Sequence, residues 1–286
     1  PIPEIVGVKP PMQNAGKVRN TGMEMQISHN NQINDFKYYA TFNFSYVHNE
    51  ITDLSGGDTP GRSVGDPINN IYGYVCEGIF RDQADIDAHP TQIWGAKPGD
   101  LKYKDLNNDN KIDENDRQSL GTYFPKINFG LRLGFEYKNF DFSALMQGAG
   151  MVDAIVKAEI NKAFYNGGKV TEYHLDRWTP DNLDATYPRL SMKDSKKNWM
   201  TSTFWMQNAS YLKMRNMQIG YSLPKRVLAD SGITRLRVYF SVDNLFTITG
   251  FDGVDPESAY NMKDLSVSSS YYPLTRNYSF GVNLSF

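Results

Sequence analysis

The sequence predicts an all-β chain, a portion of a large antiparallel transmembrane β-barrel with short helices in its long loops. Three observations predict it: apolar and polar residues alternate over membrane-crossing lengths, aromatic residues are in excess, and the connections alternate short and long. The closing stretch carries the first, since Tyr278, Phe280, Val282, Leu284 and Phe286 interleave with Asn277, Ser279, Gly281, Asn283 and Ser285. That is period two over the roughly 9–11 residues a tilted strand needs to cross a bilayer. The same pattern sets Ile127, Phe129, Leu131, Leu133, Phe135 and Tyr137 against Asn128, Gly130, Arg132, Gly134 and Glu136, and recurs over 36–48 and in Leu236, Val238, Phe240 and Val242. Alternation alone shows a half-buried antiparallel sheet, which a soluble sandwich supplies as well.

Tyr (18) and Phe (16) raise the aromatic share to 13%, as aromatic girdles at two membrane interfaces require, although soluble all-β proteins share part of this excess. No run of about 18 apolar residues occurs, which argues against a helical span; a barrel escapes that test because only alternate residues face lipid. Thirty basic and 32 acidic residues give a net charge of -2 with no Lys/Arg block, which argues against nucleic acid as a partner. Cys76 is the one cysteine, so an internal disulfide and a multi-cysteine metal site are excluded. Residues 1–11 lack the basic and apolar regions of a signal peptide: either the protein stays inside, or the chain starts within a longer, exported polypeptide.

The patterning predicts strands over 18–29, 36–48, 61–66, 71–80, 127–137, 139–149, 204–222, 235–246 and 276–286. Between them, 30–35, 67–70, 138 and 223–234 are short, whereas 49–60, 81–126, 150–203 and 247–275 are long. Antiparallel neighbours reverse at each turn, so every short connection falls on one side and every long one on the other, the asymmetry of outer-membrane barrels. Nine strands is an odd number and leaves two free edges. An open edge in hydrocarbon leaves backbone groups unsatisfied at several kcal/mol each, so the remaining strands must come from another stretch of the precursor or from a partner chain. Within the long connections, 151–165 has near-helical apolar spacing and 171–178 a short helical pattern, and Pro224 starts a helical turn on the opposite side.

Residues 105–116 match the spacing of a calcium loop. Asp105, Asn107, Asp109, Asp113 and Asp116 place oxygens at positions 1, 3, 5, 9 and 12, and Lys111 offers its carbonyl at position 7. Position 6 is Asn110 in place of glycine, and Asp116 is shorter than the usual glutamate. The alternative is an Asx-rich turn that caps its own backbone; five oxygen side chains at these offsets exceed what turn chemistry requires and favour a structural calcium ion. Catalytic constellations are lacking. His29, His48, His89 and His174 are isolated, and Gly61-Arg62-Ser63-Val64-Gly65 matches a nucleophile elbow only in letters, with Pro60 before it and Pro67 after. Asp85 and Asp87 read as a solvated turn rather than a glycosidase pair. Trp94, Trp178, Trp199 and Tyr187 lie in the long connections, where rings either stack on a ligand or form loop cores.

The segments 14–28 (NAGKVRNTGMEMQIS), 65–80, 98–121, 210–224, 236–249 (LRVYFSVDNLFTIT) and the closing SFGVNLSF resemble the SusC/RagA type of TonB-linked outer-membrane protein, in family order through nearly the whole chain. The resemblance implies that residues 1–286 are the C-terminal part of a 22-stranded TonB-dependent receptor barrel, with the N-terminal strands, plug and TonB box outside this chain. It implies a place in the cell outer membrane, with the long connections extracellular. The implied function is uptake of oligosaccharides or peptides, without enzymatic activity. The implied partners are the N-terminal part of the same receptor, a SusD-like surface lipoprotein, the TonB, ExbB and ExbD complex, and membrane lipid. Two readings from other classes stand beside it: a soluble or surface calcium-dependent carbohydrate-binding β-protein, which would extract without detergent, and a β-rich glycoside hydrolase, which would act on oligosaccharides.

Overall fold

The computed structural model describes residues 16–55, 61–156, 162–164, 170–191, 196–229, 232–253, 255–259 and 274–286. Strands β1 (Lys17–Ile33) and β2 (Phe36–Asp53) form a hairpin. A long excursion then carries β3 (Asn70–Tyr74), β4 (Cys76–Ile79), helix α1 (Gln83–Asp87), β5 (Thr91–Gln92), β6 (Leu101–Tyr103), β7 (Lys111–Ile112) and β8 (Arg117–Thr122). A second hairpin, β9 (Ile127–Tyr137) and β10 (Phe140–Gly150), precedes a second excursion with β11 (Asp153–Ile155) and β12 (Met206–Asn208). The chain continues through β13 (Tyr211–Ser222), α2 (Lys225–Leu228), β14 (Arg235–Asp243), β15 (Thr247–Thr249) and β16 (Asn277–Ser285).

Seven long strands pair antiparallel in the order β1-β2-β9-β10-β13-β14-β16, and the short β15 continues the edge of β14 along β13. Sequence order is spatial order. The register aligns whole rows of side chains: Ile33, Phe36, Tyr137, Phe140, Tyr221, Val238 and Val282 lie side by side, and Asn31, Tyr38, Phe135, Phe142, Ile219, Phe240 and Phe280 form the next row. The alternate rows are polar, for example Asn30, Tyr39, Gly134, Ser143, Gln218, Ser241 and Ser279. Along β9 the apolar face runs from Ile127 to Tyr137, roughly 33 Å at ~3.3 Å per residue. Tilted by ~40°, that is about the 25 Å height of the apolar band of a transmembrane barrel.

Burial separates the barrel from the sandwich. A sandwich packs its apolar face on a second sheet, yet Phe280 is 84% exposed here, and Val282, Ile33, Phe140 and Ile219 are exposed too. The buried apolar clusters among the described residues are built from the excursions. An uncovered apolar face seven strands wide far exceeds the patches that soluble monomers tolerate, and lipid is the solvent it suits. Among the described residues no helix is long and apolar enough to cross a membrane.

On the polar face, two tyrosines lie over glycines. Tyr39 covers Gly134 on β9 and Tyr239 covers Gly281 on β16, so a Cβ at either glycine would meet the ring at 2.6 and 2.2 Å. A ring laid across the ladder buries the backbone that glycine leaves bare and pins the register between neighbours.

Four expectations from the sequence change. Residues 61–66 hold no strand, because Gly61 and Gly65 adopt φ of 87° and 98° and turn the chain. The 71–80 stretch breaks into β3 and β4, which pair with β8 and β6 instead of entering the large sheet. The 204–222 stretch divides into β12, paired with β11, and the wall strand β13. The helix expected over 151–165 starts as strand β11, and 157–161 and 165 lie outside the described residues. A 3-10 turn at Glu172–His174 and helix α2 match the other helical signals. The asymmetry of connections sharpens: 34–35, 138–139 and 223–234 are short on one side, and 54–126, 151–210 and 244–276 are long on the other. Arg in place of Val282 is expected to cost about 2–4 kcal/mol in folding into bilayers, and Arg in place of Asn283 much less. Denaturant titration of the complete barrel in vesicles checks this, and equal tolerance at both sites would remove the membrane reading.

Candidate functional site

Two surfaces are available for function, the polar face of the wall and the domain that the long excursions build above it. On the wall, Arg237 of β14 donates from Nε to Asp141 of β10 at 2.9 Å and also bonds Gln218 of β13. One guanidinium thus ties three strands together. Higher up, Lys213 donates to Asp255 at 2.7 Å and to Glu257 at 3.0 Å, while Arg215 pairs with Glu257 and bonds Gln147 at 3.0 Å. Both cations reach the polar face because β13 carries a bulge: Leu145 opposes Asn216 and Met146 opposes Met214, leaving Arg215 as the extra residue. This clip fastens the third excursion to the wall. Burial raises the Glu257 carboxyl, but hydrogen bonds from Arg215 and Lys213 outweigh it and hold the group below its ordinary 4.5. The folded value being depressed, the clip contributes fully above pH 4.5 and is lost as pH falls through the folded value. Protease cutting within 244–276 of the complete barrel is expected to rise over that acid range.

The excursions build two apolar clusters, with the second excursion common to both. Ile71, Tyr74, Leu101, Tyr103, Ile112 and Tyr123 from the first pack with Ile155, Tyr187 and Trp205 from the second. Phe251 of the third joins Val152, Ala154, Val156 and Ala209. Each Val, Leu, Ile or Phe among them contributes about 1.5–3 kcal/mol on burial. Trp94 and Trp199 pack against the first cluster, and Trp178 lies over Gly99, so the four rings singled out in the sequence serve the loop core. Beside it, the fully buried Asp100 accepts from Arg189 at 2.7 Å and from Asn198 at 3.0 Å and pairs with Lys197 at 2.9 Å. Asp100→Ala leaves two cations without their carboxylate, an expected cost of about 3–5 kcal/mol. Asp184→Ala, whose partner Arg81 is exposed like itself, is expected to cost under about 1 kcal/mol. Thermal melts of the complete barrel compare them.

The acidic loop crosses this domain between β6 and β8. Its middle, Lys111–Ile112, pairs parallel with Thr91–Gln92, and Ile112 is fully buried. Asn108 and Asn110 adopt φ of 60° and 62°, the left-handed region that Asn tolerates. Asp105 accepts the backbone N–H groups of Asn108 (2.7 Å) and Asn110 (2.8 Å). Asn107 accepts from Asp109, Asp109 from Lys111, and Asp113 from Asn115. Buried Asp116 accepts from Leu106 and Asp113, stapling the two ends of the loop. The donor set is the hard-oxygen type that suits calcium, while the side chains satisfy the loop's own amides. Among the described residues no group of three or more His, Cys, Asp or Glu converges on a metal-sized point.

No catalytic constellation is assembled from the residues the sequence raised. His29 bonds Tyr38, His48 and His89 lie beside Glu50 and Glu77, and His174 is buried against Tyr187. Burial pushes the His174 imidazole down despite its bond with Thr171. Ser63 sits in an exposed turn with its N–H on Asp66. Asp85 pairs with Lys102, and Asp87 accepts from Gln83. Sequence reading missed the Lys213 clip and the Asp100 cluster; the run Leu212, Met214, then Met217, Ile219 and Tyr221 signals the bulge through its break in alternation.

No family model matches the chain. Two TonB-dependent receptors of Formosa agariphila are 28% and 27% identical over the whole chain, which spans 30% and 31% of their lengths. The TonB-dependent receptor SusC of Bacteroides thetaiotaomicron is 28% identical over 96% of the chain and 27% of its own length. The chain therefore spans under a third of the curated relatives it matches. The RagAB peptide transporter superposes over the whole chain with a TM-score of 0.78 at 25% identity, and the RagAB importer in its open-open state with 0.77 at 26%; the match covers 31% of each. The chain is similar to TonB-dependent receptors, SusC among them, and to RagAB, and its antiparallel wall has the fold of part of that β-barrel.

Proposed function

We propose that this chain is the C-terminal wall of an outer-membrane importer that takes up oligosaccharides or peptides with a SusD-like surface lipoprotein, driven by TonB, ExbB and ExbD. The observation that carries the reading is the uncovered apolar face of the seven-strand wall, opposed by a charged face and crowned on one side only by folded excursions. A soluble carbohydrate-binding protein would leave that apolar face without a solvent. The relatives' names, receptor, transporter and importer, support transport over catalysis.

Within this reading, β1 and β16 pair with strands from the N-terminal part of the same receptor, which also supplies the plug and the TonB contact. Both strands have one neighbour each among the described residues, and hydrocarbon cannot satisfy the other edge. Separated from that part, the 286 residues are expected to aggregate or to need micelles. A folded, monodisperse monomer in buffer without detergent would overturn the proposal.

Calcium at Asp105, Asn107, Asp109, the Lys111 carbonyl, Asp113 and Asp116 is a further proposal, with a structural role in holding 105–116 in one conformation. It rests on the oxygen offsets and on the left-handed Asn110 at the position where calcium loops place glycine. Such an extracellular site works at about 0.1–1 mM. In the complete receptor, calcium at that level is expected to slow proteolysis of the loop and a chelator to restore it. An unchanged rate at millimolar calcium would return the loop to self-capping alone.

A further inference from the structure

The second and third excursions enclose a cavity of about 290 Å3 in the loop domain, walled by Tyr173, Tyr187, Phe204 and Trp205 and edged by Gln207 and Asp252. We propose that it receives one pyranose ring of a neutral oligosaccharide. This rests on the importer reading and deepens it, since it names the cargo that one site on the outer side would hold.

The volume lies at the lower bound of small-molecule sites, which suits one ring and not an extended peptide. Its back wall is rigid. Trp205 donates its indole N–H to the Asn198 carbonyl at 2.7 Å and packs edge-on against Phe204 and Tyr187. Its edge is fixed as well: Gln207 donates to the Asp252 carboxylate at 2.7 Å and accepts the Asp252 backbone N–H at 2.9 Å. Three residues on, Asp255 is held by Lys213, and Phe251 is buried next door. The cavity is thus built before a ligand arrives, which lowers the entropic cost of binding. Tyr173 stands 48% exposed at the entrance, its hydroxyl bonded to the Asp252 carboxylate, and presents its ring to the open side.

The chemistry selects a hydroxylated ring. Aromatic faces suit the apolar C–H face of a pyranose, while a carboxylate beside an amide offers acceptors and donors together, the complement of hydroxyls that do both. The Asp252 carboxylate already takes the Gln207 amide and the Tyr173 hydroxyl and, with about four lone-pair sites, keeps capacity for a ligand hydroxyl. An ammonium group would use the carboxylate and the rings but leave the amide idle.

The test uses the complete receptor in detergent on an array of neutral tri- to hexasaccharides with lysine-ended tripeptides printed beside them. At least one oligosaccharide is expected to bind, with affinity falling about tenfold or more, some 1.4 kcal/mol, in Tyr173→Ala and in Asp252→Ala. Both positions are exposed, and an unchanged melting temperature confirms that each variant is folded. No saccharide binding, saccharide binding untouched in both variants, or capture of the lysine peptides alone overturns the proposal. Cells that still take up substrate with the variant receptors would show that the importer reading survives the loss of this site.

Discussion

Backbone hydrogen bonding in a medium without water is the constraint on which everything else here depends. Hydrocarbon offers no partner to a peptide group, so each strand of the wall must give its N–H and C=O groups to its neighbours. That requirement enforces one unbroken antiparallel register over seven strands, and the register in turn brings the apolar residues into continuous rows. The excursions obey another solvent. They bury Tyr103, Trp205 and Ile112 in a water-facing domain with a core of its own, and they answer polar burial with Asp100 and its two cations.

Two kinds of energy thus meet at β13. Its lower half is a membrane strand whose odd residues, Met217, Ile219 and Tyr221, share the oily face. Its upper half pairs with β15 and holds the third excursion through Lys213. The buried Lys213 is viable because Asp255 and Glu257 both lie within hydrogen-bond reach of its ammonium group.

How much of this was legible in the sequence follows from the length over which each signal acts. Period two in 277–285 and 127–137 is imposed by lipid on every second residue, so it survives in a single sequence. The stretches 61–66 and 71–80 carry similar letters for different reasons: 61–66 is a turn set by two left-handed glycines, and 71–80 is two short strands of a loop domain whose partners, β8 and β6, lie tens of residues away, so local pattern cannot name them. The tyrosines over Gly134 and Gly281, and the ring of partners around Asp100, are likewise products of register and long-range contact. The acidic loop was visible as a spacing, yet what its oxygens do depends on where each carboxylate turns.

The bulge at Arg215 also bears on how such a wall changes length over generations. Side chains in a strand alternate strictly, so one inserted or deleted residue reverses the phase of everything beyond it. Arg215 is one such insertion made permanent, with Asn244 and Leu245 bonding back to Arg215 and Met214 across the break between β14 and β15. Deleting that residue alone would close the bulge and leave Lys213 on the polar face and Met214 on the apolar one, whereas pairing Arg215 into the ladder would turn Lys213 toward the oil. Insertions and deletions in the strands are therefore confined to even numbers, compensated pairs or single residues that a bulge absorbs, whereas the excursions accept any length that keeps their buried clusters, and it is there that relatives of this barrel are free to diverge.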